Sequence, residues 1–299
     1  LDEAPVYNAS HLMGFFSVFN PDAIKDVQLY KGGIPAQYGG RLSSVVDIRM
    51  KDGNNQRFAM EGGVGTIASR LTVEAPIVKN KGSFILSGRR TYADLFLGLA
   101  KNEDLHSSRL FFYDLNLKAN YAVTAKDRVF LSGYFGRDVF RNGGFGVDWG
   151  NATGTVRWNH LHNSRLFSNV TLYYSNFNYA LGTDEQTQAF SWKSNIRDLG
   201  AKLDLNYYLD PSNMLSFGYQ LIRHQFNPGM VRSEGEGSVV AGLELERAHA
   251  LEHAAYVSNE QRIGTRFTAT YGLRVSMFQN VGSKTIYTYD EDHQVNDTL

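Results

Sequence analysis

The sequence of 299 residues has no cysteine, only 6 prolines and no net charge. Without cysteine there is no disulfide framework, no thiolate metal site and no cysteine nucleophile. That absence leaves the compartment open, because disulfides are optional even where they can form. Basic and acidic side chains balance at 30 each, so no electrostatic case exists for a nucleic-acid partner. No stretch reaches about 18 consecutive apolar residues, which excludes a transmembrane helix; the best run is the short 95–100 stretch. A membrane location is still allowed, because a barrel strand alternates lipid-facing and lumen-facing side chains and its averaged hydropathy stays modest. What the chain does have is 29 Gly, 17 Tyr and 19 Phe, a composition that reads as strand-rich with many turns. It starts at Leu1 without a signal peptide and stops in a loop-like stretch, and both ends are expected to be cuts in a longer protein.

From about residue 57 onward, period-2 alternation recurs between turn signals. In the cleanest run Tyr113, Leu115, Leu117, Ala119 and Tyr121 share one face, and Asp114, Asn116, Lys118 and Asn120 the other. Leu199 to Tyr207 and Phe267 to Met277 repeat the pattern, with Lys202, Asp204 and Arg274 among the polar set. Leu215, Phe217, Tyr219 and Leu221 form a fourth apolar face, and Leu71, Val73, Ala75 and Ile77 a fifth, opposite Arg70, Thr72 and Glu74. Several runs exceed about nine residues, long enough to cross a bilayer at a tilt. Tight turns are expected at 78–82, 124–127, 162–164, 210–213 and 263–265, and long loops at about 90–108, 138–149, 180–190 and 227–247. Short turns on one rim and long loops on the other are the layout of an outer-membrane barrel, with roughly eleven strands between residues 57 and 281. Charged residues inside such strands face the lumen, since a charge at mid-membrane costs about 2–4 kcal/mol. Tyr and Phe near strand ends fit interfacial girdles. The competing architecture is a large soluble sandwich or propeller with one wet face.

Residues 1–54 differ. Asn20-Pro21 opens a helical turn, Ile24 to Tyr30 reads as a strand, a Gly/Pro loop follows, and Ser44 to Met50 reads as a second strand. Ile24, Val27, Leu29 and Gly32, then Tyr38, Gly39, Gly40, Arg41, Val45, Val46 and Ile48, form a motif. It resembles the end of the plug in TonB-dependent receptors, in the version found in Bacteroidetes. Arg41-Leu42-Ser43-Ser44 replaces a purely small-residue stretch, and Asp47 stands where the family pattern has Asn. The motif covers roughly residues 15–55, and the remainder matches by architecture.

The resemblance implies an all-β fold: about half of a 22-stranded transmembrane antiparallel barrel (55–299), preceded by the C-terminal part of a small α/β plug (1–54). It implies an outer-membrane receptor of a Gram-negative bacterium, not an enzyme, that imports a scarce nutrient: a siderophore, cofactor, glycan or peptide. The TonB–ExbB–ExbD complex would supply energy, outer-membrane lipid would surround the wall, and a surface lipoprotein is an optional partner in this family. No cofactor, resident metal or catalytic residue is implied. Arg41 and Arg49 are expected to pair with lumen carboxylates such as Glu74. Arg89, Arg90, Phe145 and Trp149 are loop candidates for substrate capture, with Phe111 and Phe112 beside them. A binding or signalling barrel with little transport is the alternative reading, and a soluble β-rich enzyme a further one.

The enzyme reading rests on His249-Ala250-Leu251-Glu252-His253, which matches the H-x-x-E-H zinc pattern. That chemistry needs a helix; on a strand, positions four apart lie about 13 Å apart and cannot share one zinc. His160 and His162 are close enough on one strand face to share a metal, but they abut a turn, where interfacial solvation is the simpler role. Residues 91–101 are expected to hold a short helix, and Asp290-Glu291-Asp292 a solvated loop.

Overall fold

The computed structural model describes residues 1–92, 94–95, 106, 108–185, 187–234, 237–282, 287–290 and 294–298. Most of the expected 91–101 helix, and Glu291 and Asp292, lie outside the described residues.

The N-terminal segment is built of short pieces. Strands β1 (Ser10–His11) and β2 (Phe16–Ser17) pair around a 3₁₀ turn at Leu12–Gly14. Asn20 then caps a second 3₁₀ turn, Pro21–Ala23, by accepting a hydrogen bond from the Asp22 N–H at 3.1 Å. Strands β3 (Ile24–Tyr30) and β4 (Val45–Met50) form an antiparallel pair of their own. The motif strands fall where the alternation places them.

Eleven strands then follow one another in an antiparallel meander. They are β5 (Ala59–Val64), β6 (Ala68–Val78), β7 (Gly82–Thr91), β8 (Arg109–Ala122), β9 (Asp127–Asn142), β10 (Phe145–Leu161), β11 (Leu166–Thr183), β12 (Phe190–Asp210), β13 (Asn213–Ser233), β15 (Ala248–Ile263) and β16 (Phe267–Val281). A short strand, β14 (Leu243–Glu244), pairs with β13 off this path, and β17 (Tyr287–Tyr289) pairs with β18 (Val295–Thr298) in a separate hairpin. Strands β12 and β13 run for 21 residues each, about twice what a tilted strand needs to cross a bilayer.

That length corrects the loop assignment. The expected loop at 138–149 is a two-residue turn at Gly143-Gly144, both glycines at positive φ, between strands that run to Asn142 and restart at Phe145. The expected loop at 180–190 shrinks to 184–189. Polar, glycine-rich sequence breaks the apolar alternation there, yet the ladders continue because each neighbouring strand continues too. The five tight turns of the opposite rim sit where expected.

The two faces divide as the alternation requires. Asp114, Asn116, Lys118 and Asn120 are buried on the inner face of β8, while Leu115 and Leu117 are exposed on the outer face. The outer apolar set crosses the ladders obliquely. Leu71, Leu115 and Phe135 carry it high on β6, β8 and β9; on β12 it stops at Leu199, and on β15 and β16 it centres on Val257, Leu273 and Val275, nearer the short-turn rim. Strand tilt in a barrel wall produces such a shift.

Candidate functional site at the inner wall

Residues 1–53 cross the inner face of the sheet and are held by polar contacts. At the start, Lys202 of β12 donates to Glu3 Oε2 at 2.6 Å, and Lys118 of β8 reaches Asp2 Oδ2 and Asp52 Oδ1 at 3.2 Å each and the Met50 carbonyl at 2.8 Å. Both lysines are buried, so each charge is offset by carboxylates of the N-terminal segment. Burial raises the Glu3 carboxyl, but the charge and hydrogen bond of Lys202 outweigh it and hold Glu3 down at about 2.

Further along, the Tyr7 hydroxyl donates to Asp198, Asn151 Nδ2 donates to the Asn8 carbonyl at 3.0 Å, and Ser175 Oγ donates to the Pro5 carbonyl at 2.7 Å. His11 is fully enclosed. Its Nδ1 lies 2.6 Å from Asp138, its Nε2 lies 3.4 Å from Asp114, and its ring stacks on Phe112 at 4.1 Å. Asp138 also accepts from the Leu12 N–H at 2.7 Å. Burial disfavours the imidazolium, but the two carboxylates prevail and raise the His11 pKa above its usual value. Arg89 of β7 bridges Asp114 and the Ser17 carbonyl, and Asn20 donates to Ser87 at 2.8 Å.

The motif loop is seated on the last strand of the meander. Arg274 of β16 donates to the Gln37 carbonyl at 3.1 Å and the Ala36 carbonyl at 3.3 Å. A Cβ on Gly39 would overlap that guanidinium, and Gly40 has φ +67. Tyr38 donates to Asp47 at 2.9 Å. A cavity of about 370 Å³ remains between segment and wall, lined in part by Tyr7, Arg41, Asp198, Lys202, His224 and Glu252.

Several sequence expectations need correction. Arg49 bonds Asp47 two residues away on its own strand, and Arg41 donates to the Gly40 carbonyl, so neither pairs with Glu74. Short-range partners win because both arginines remain partly exposed. Arg89, Arg90, Phe145 and Trp149 lie in strands, not loops, as do Phe111 and Phe112. Arg89, Phe112 and Trp149 face inward; Arg90 faces outward over the Phe111 ring at 5.2 Å. The contacts of Glu3, Tyr7 and His11 carry no sequence signal, since their partners lie more than 100 residues away.

The H-x-x-E-H pentad lies on strand β15. His253 faces outward, 2.6 Å from the Tyr219 hydroxyl, whereas Glu252 faces inward, 3.5 Å from His224. The residues that zinc chemistry would unite are on opposite faces. His160 and His162 meet edge to face at 4.5 Å, and each has its own partner, Asp127 and Ser168. Among the described residues no group of three or more His, Cys, Asp or Glu is placed to hold a metal ion.

No protein-family model and no curated protein matches the sequence. Solved structures do. The copper transporter OprC superposes with a TM-score of 0.68 at 13% identity, over 95% of this chain and 46% of that one. The siderophore receptor PirA from Pseudomonas aeruginosa gives 0.61 at 16% identity, over 93% and 47%. The ferric enterobactin receptor PfeA from the same organism, as its G324V mutant, gives 0.61 at 14% identity, over 86% and 44%. The chain spans about half the length of these structures. It therefore has the fold of part of a receptor-type transmembrane β-barrel, with an N-terminal segment against the inner wall.

Proposed function

We propose that this chain is the end of the plug (1–54) and the first half of the wall (55–299) of a TonB-dependent receptor of a Gram-negative outer membrane. The protein would import a scarce nutrient rather than catalyse a reaction. The observation that carries this reading is the seating of the N-terminal segment, residues 1–53 with the motif near its end, on the inner wall. Its contacts are hydrogen bonds and ion pairs, including Lys118 to Asp2 and Lys202 to Glu3, rather than a continuous apolar core. Polar contacts suit a plug that must move, because water and neighbouring polar groups can replace each bond as it breaks. The TonB–ExbB–ExbD complex would supply the pull. Of the residues named from sequence for substrate capture, Arg89 and Trp149 face inward and would be the ones placed to meet a ligand.

Three solved proteins of this fold are named for copper, siderophore or ferric enterobactin, which supports a small, scarce ligand and leaves glycan and peptide open. The test is uptake by cells carrying the full-length receptor. Nutrient uptake should stop when the proton-motive force is collapsed or TonB is deleted. Uptake that persists under both conditions would reject the proposal.

A further inference from the structure

The outer face of β9–β13 carries a polar patch that the transport reading does not use. Inner-face contacts fix its orientation: Asp138, Asp198 and His224 point inward, so Arg137, Arg197 and Arg223 point outward. Register then lines up Arg137, Gly150, Asn178, Asn195 and Asn227 as direct cross-strand partners across five strands. One step toward the short-turn rim, Asn176, Arg197 and Gln225 are partners, and Arg223 is diagonal to Arg197. Lys193 lies on the same face one step beyond Asn195. Directly below this patch the outer face becomes apolar, with Tyr174 and Leu199 as register partners and Leu172 and Leu203 beneath them.

The charge is unbalanced. Arg137 pairs with Asp148, but Lys193, Arg197 and Arg223 are exposed and have no ion-pair partner among the described residues. A cavity of about 340 Å³ opens at this level, lined in part by Arg137, Gly150, Ala152, Asn178, Lys193 and Asn227. Small residues on β10 leave the space, and the flanking amides supply donors.

Three free cations at the upper edge of an apolar belt match an anionic headgroup whose acyl chains lie along that belt. We infer that this face binds a phosphate-bearing lipid of the outer leaflet, its phosphates on Lys193, Arg197 and Arg223 and its polar headgroup in the cavity beside Asn178. The inference rests on the transport reading above, in which the long-loop rim lies outside the cell, as in outer-membrane barrels.

The experiment uses the full-length receptor, purified from membranes in detergent, and native mass spectrometry with three probes: diphosphoryl lipid A, the same lipid with its phosphates removed, and inorganic phosphate. The wild type should retain diphosphoryl lipid A. The K193Q/R197Q/R223Q variant should bind it on the order of 100-fold more weakly, and the dephosphorylated lipid should bind the wild type as weakly. Inorganic phosphate should not compete. Equal retention by wild type and variant would overturn the inference, and so would full competition by inorganic phosphate, which would mark a simple anion site. Energised uptake, measured separately, should survive in the variant. Recovery of the receptor outside the membrane fraction would overturn the orientation and the transport reading together, whereas loss of lipid selectivity with uptake intact would overturn only this site.

Discussion

Strands β8 and β16 show nearly the same alternation in sequence, yet the structure gives their polar faces opposite surroundings. On β8, Asp114, Asn116, Lys118 and Asn120 are at most 3% exposed, because the N-terminal segment covers them. On β16, Thr268, Thr270 and Ser276 remain exposed, and among the described residues the hydrogen bonds from this strand's side chains to the segment come from Arg274. Period-2 patterning therefore says which residues face inward, but not which of them hold the segment. The polar face of β8 is a docking surface for the plug, while that of β16 bonds it, among the described residues, through Arg274.

The contrast can be broken most sharply at Lys118. Replacing it with Ala leaves Asp2 buried without its cation, and the expected loss is about 3–5 kcal/mol. The measurement is denaturant dependence of amide-exchange protection across residues 1–52 in the full-length protein. Next in size is Asp138→Ala, which removes the partner of both His11 Nδ1 and the Leu12 N–H. A cost of about 2–3 kcal/mol in the same assay is expected for two buried donors left unmatched. At the other end of the comparison, Arg274→Ala should cost only about 1 kcal/mol, since its bonds to two loop carbonyls are partly solvated. Thr270→Val on the uncovered part of β16 should fall within about 0.5 kcal/mol of the wild type.

The pH dependence should differ between the two ends of the segment. Glu3 is depressed from 4.5 to about 2, so its contribution is complete above 4.5 and is lost as the pH falls through 2. His11 is raised above 6.5, so its contribution is complete below that value and is lost as the pH rises through the folded-state pKa. Protection of residues 1–5 should therefore weaken in acid, and that of residues 10–14 in alkali. Glu3→Gln should abolish the first trend and His11→Gln the second.

Much of this molecule is legible in the chain itself. Alternation in Tyr113–Tyr121 and Leu199–Tyr207 locates strands and assigns their faces, because side-chain direction on a strand is set by residue parity alone. The five tight turns are legible from their Gly, Pro, Asn and Asp content. Rim lengths are not, since Gly146, Gly150 and Asn178 lie in regular ladders whose pairing depends on the neighbouring strand rather than on local propensity. Arg49 illustrates the same limit within the plug. Its charge is legible, but its choice of Asp47 over Glu74 is not.

The sequence by itself determined a wall of long antiparallel strands, the inward and outward sets of each, and a glycine-rich motif segment before them. These follow from local geometry: a period of two, turn chemistry and positive-φ residues. Only the tertiary structure decided that Lys118, Lys202 and Asp138 hold the segment, that Arg89 and Trp149 belong to the wall, and that three cations from β12 and β13 gather on one outer face. Those partners are separated by tens to hundreds of residues, and their meeting is set by strand register and tilt, which no local pattern in the chain encodes.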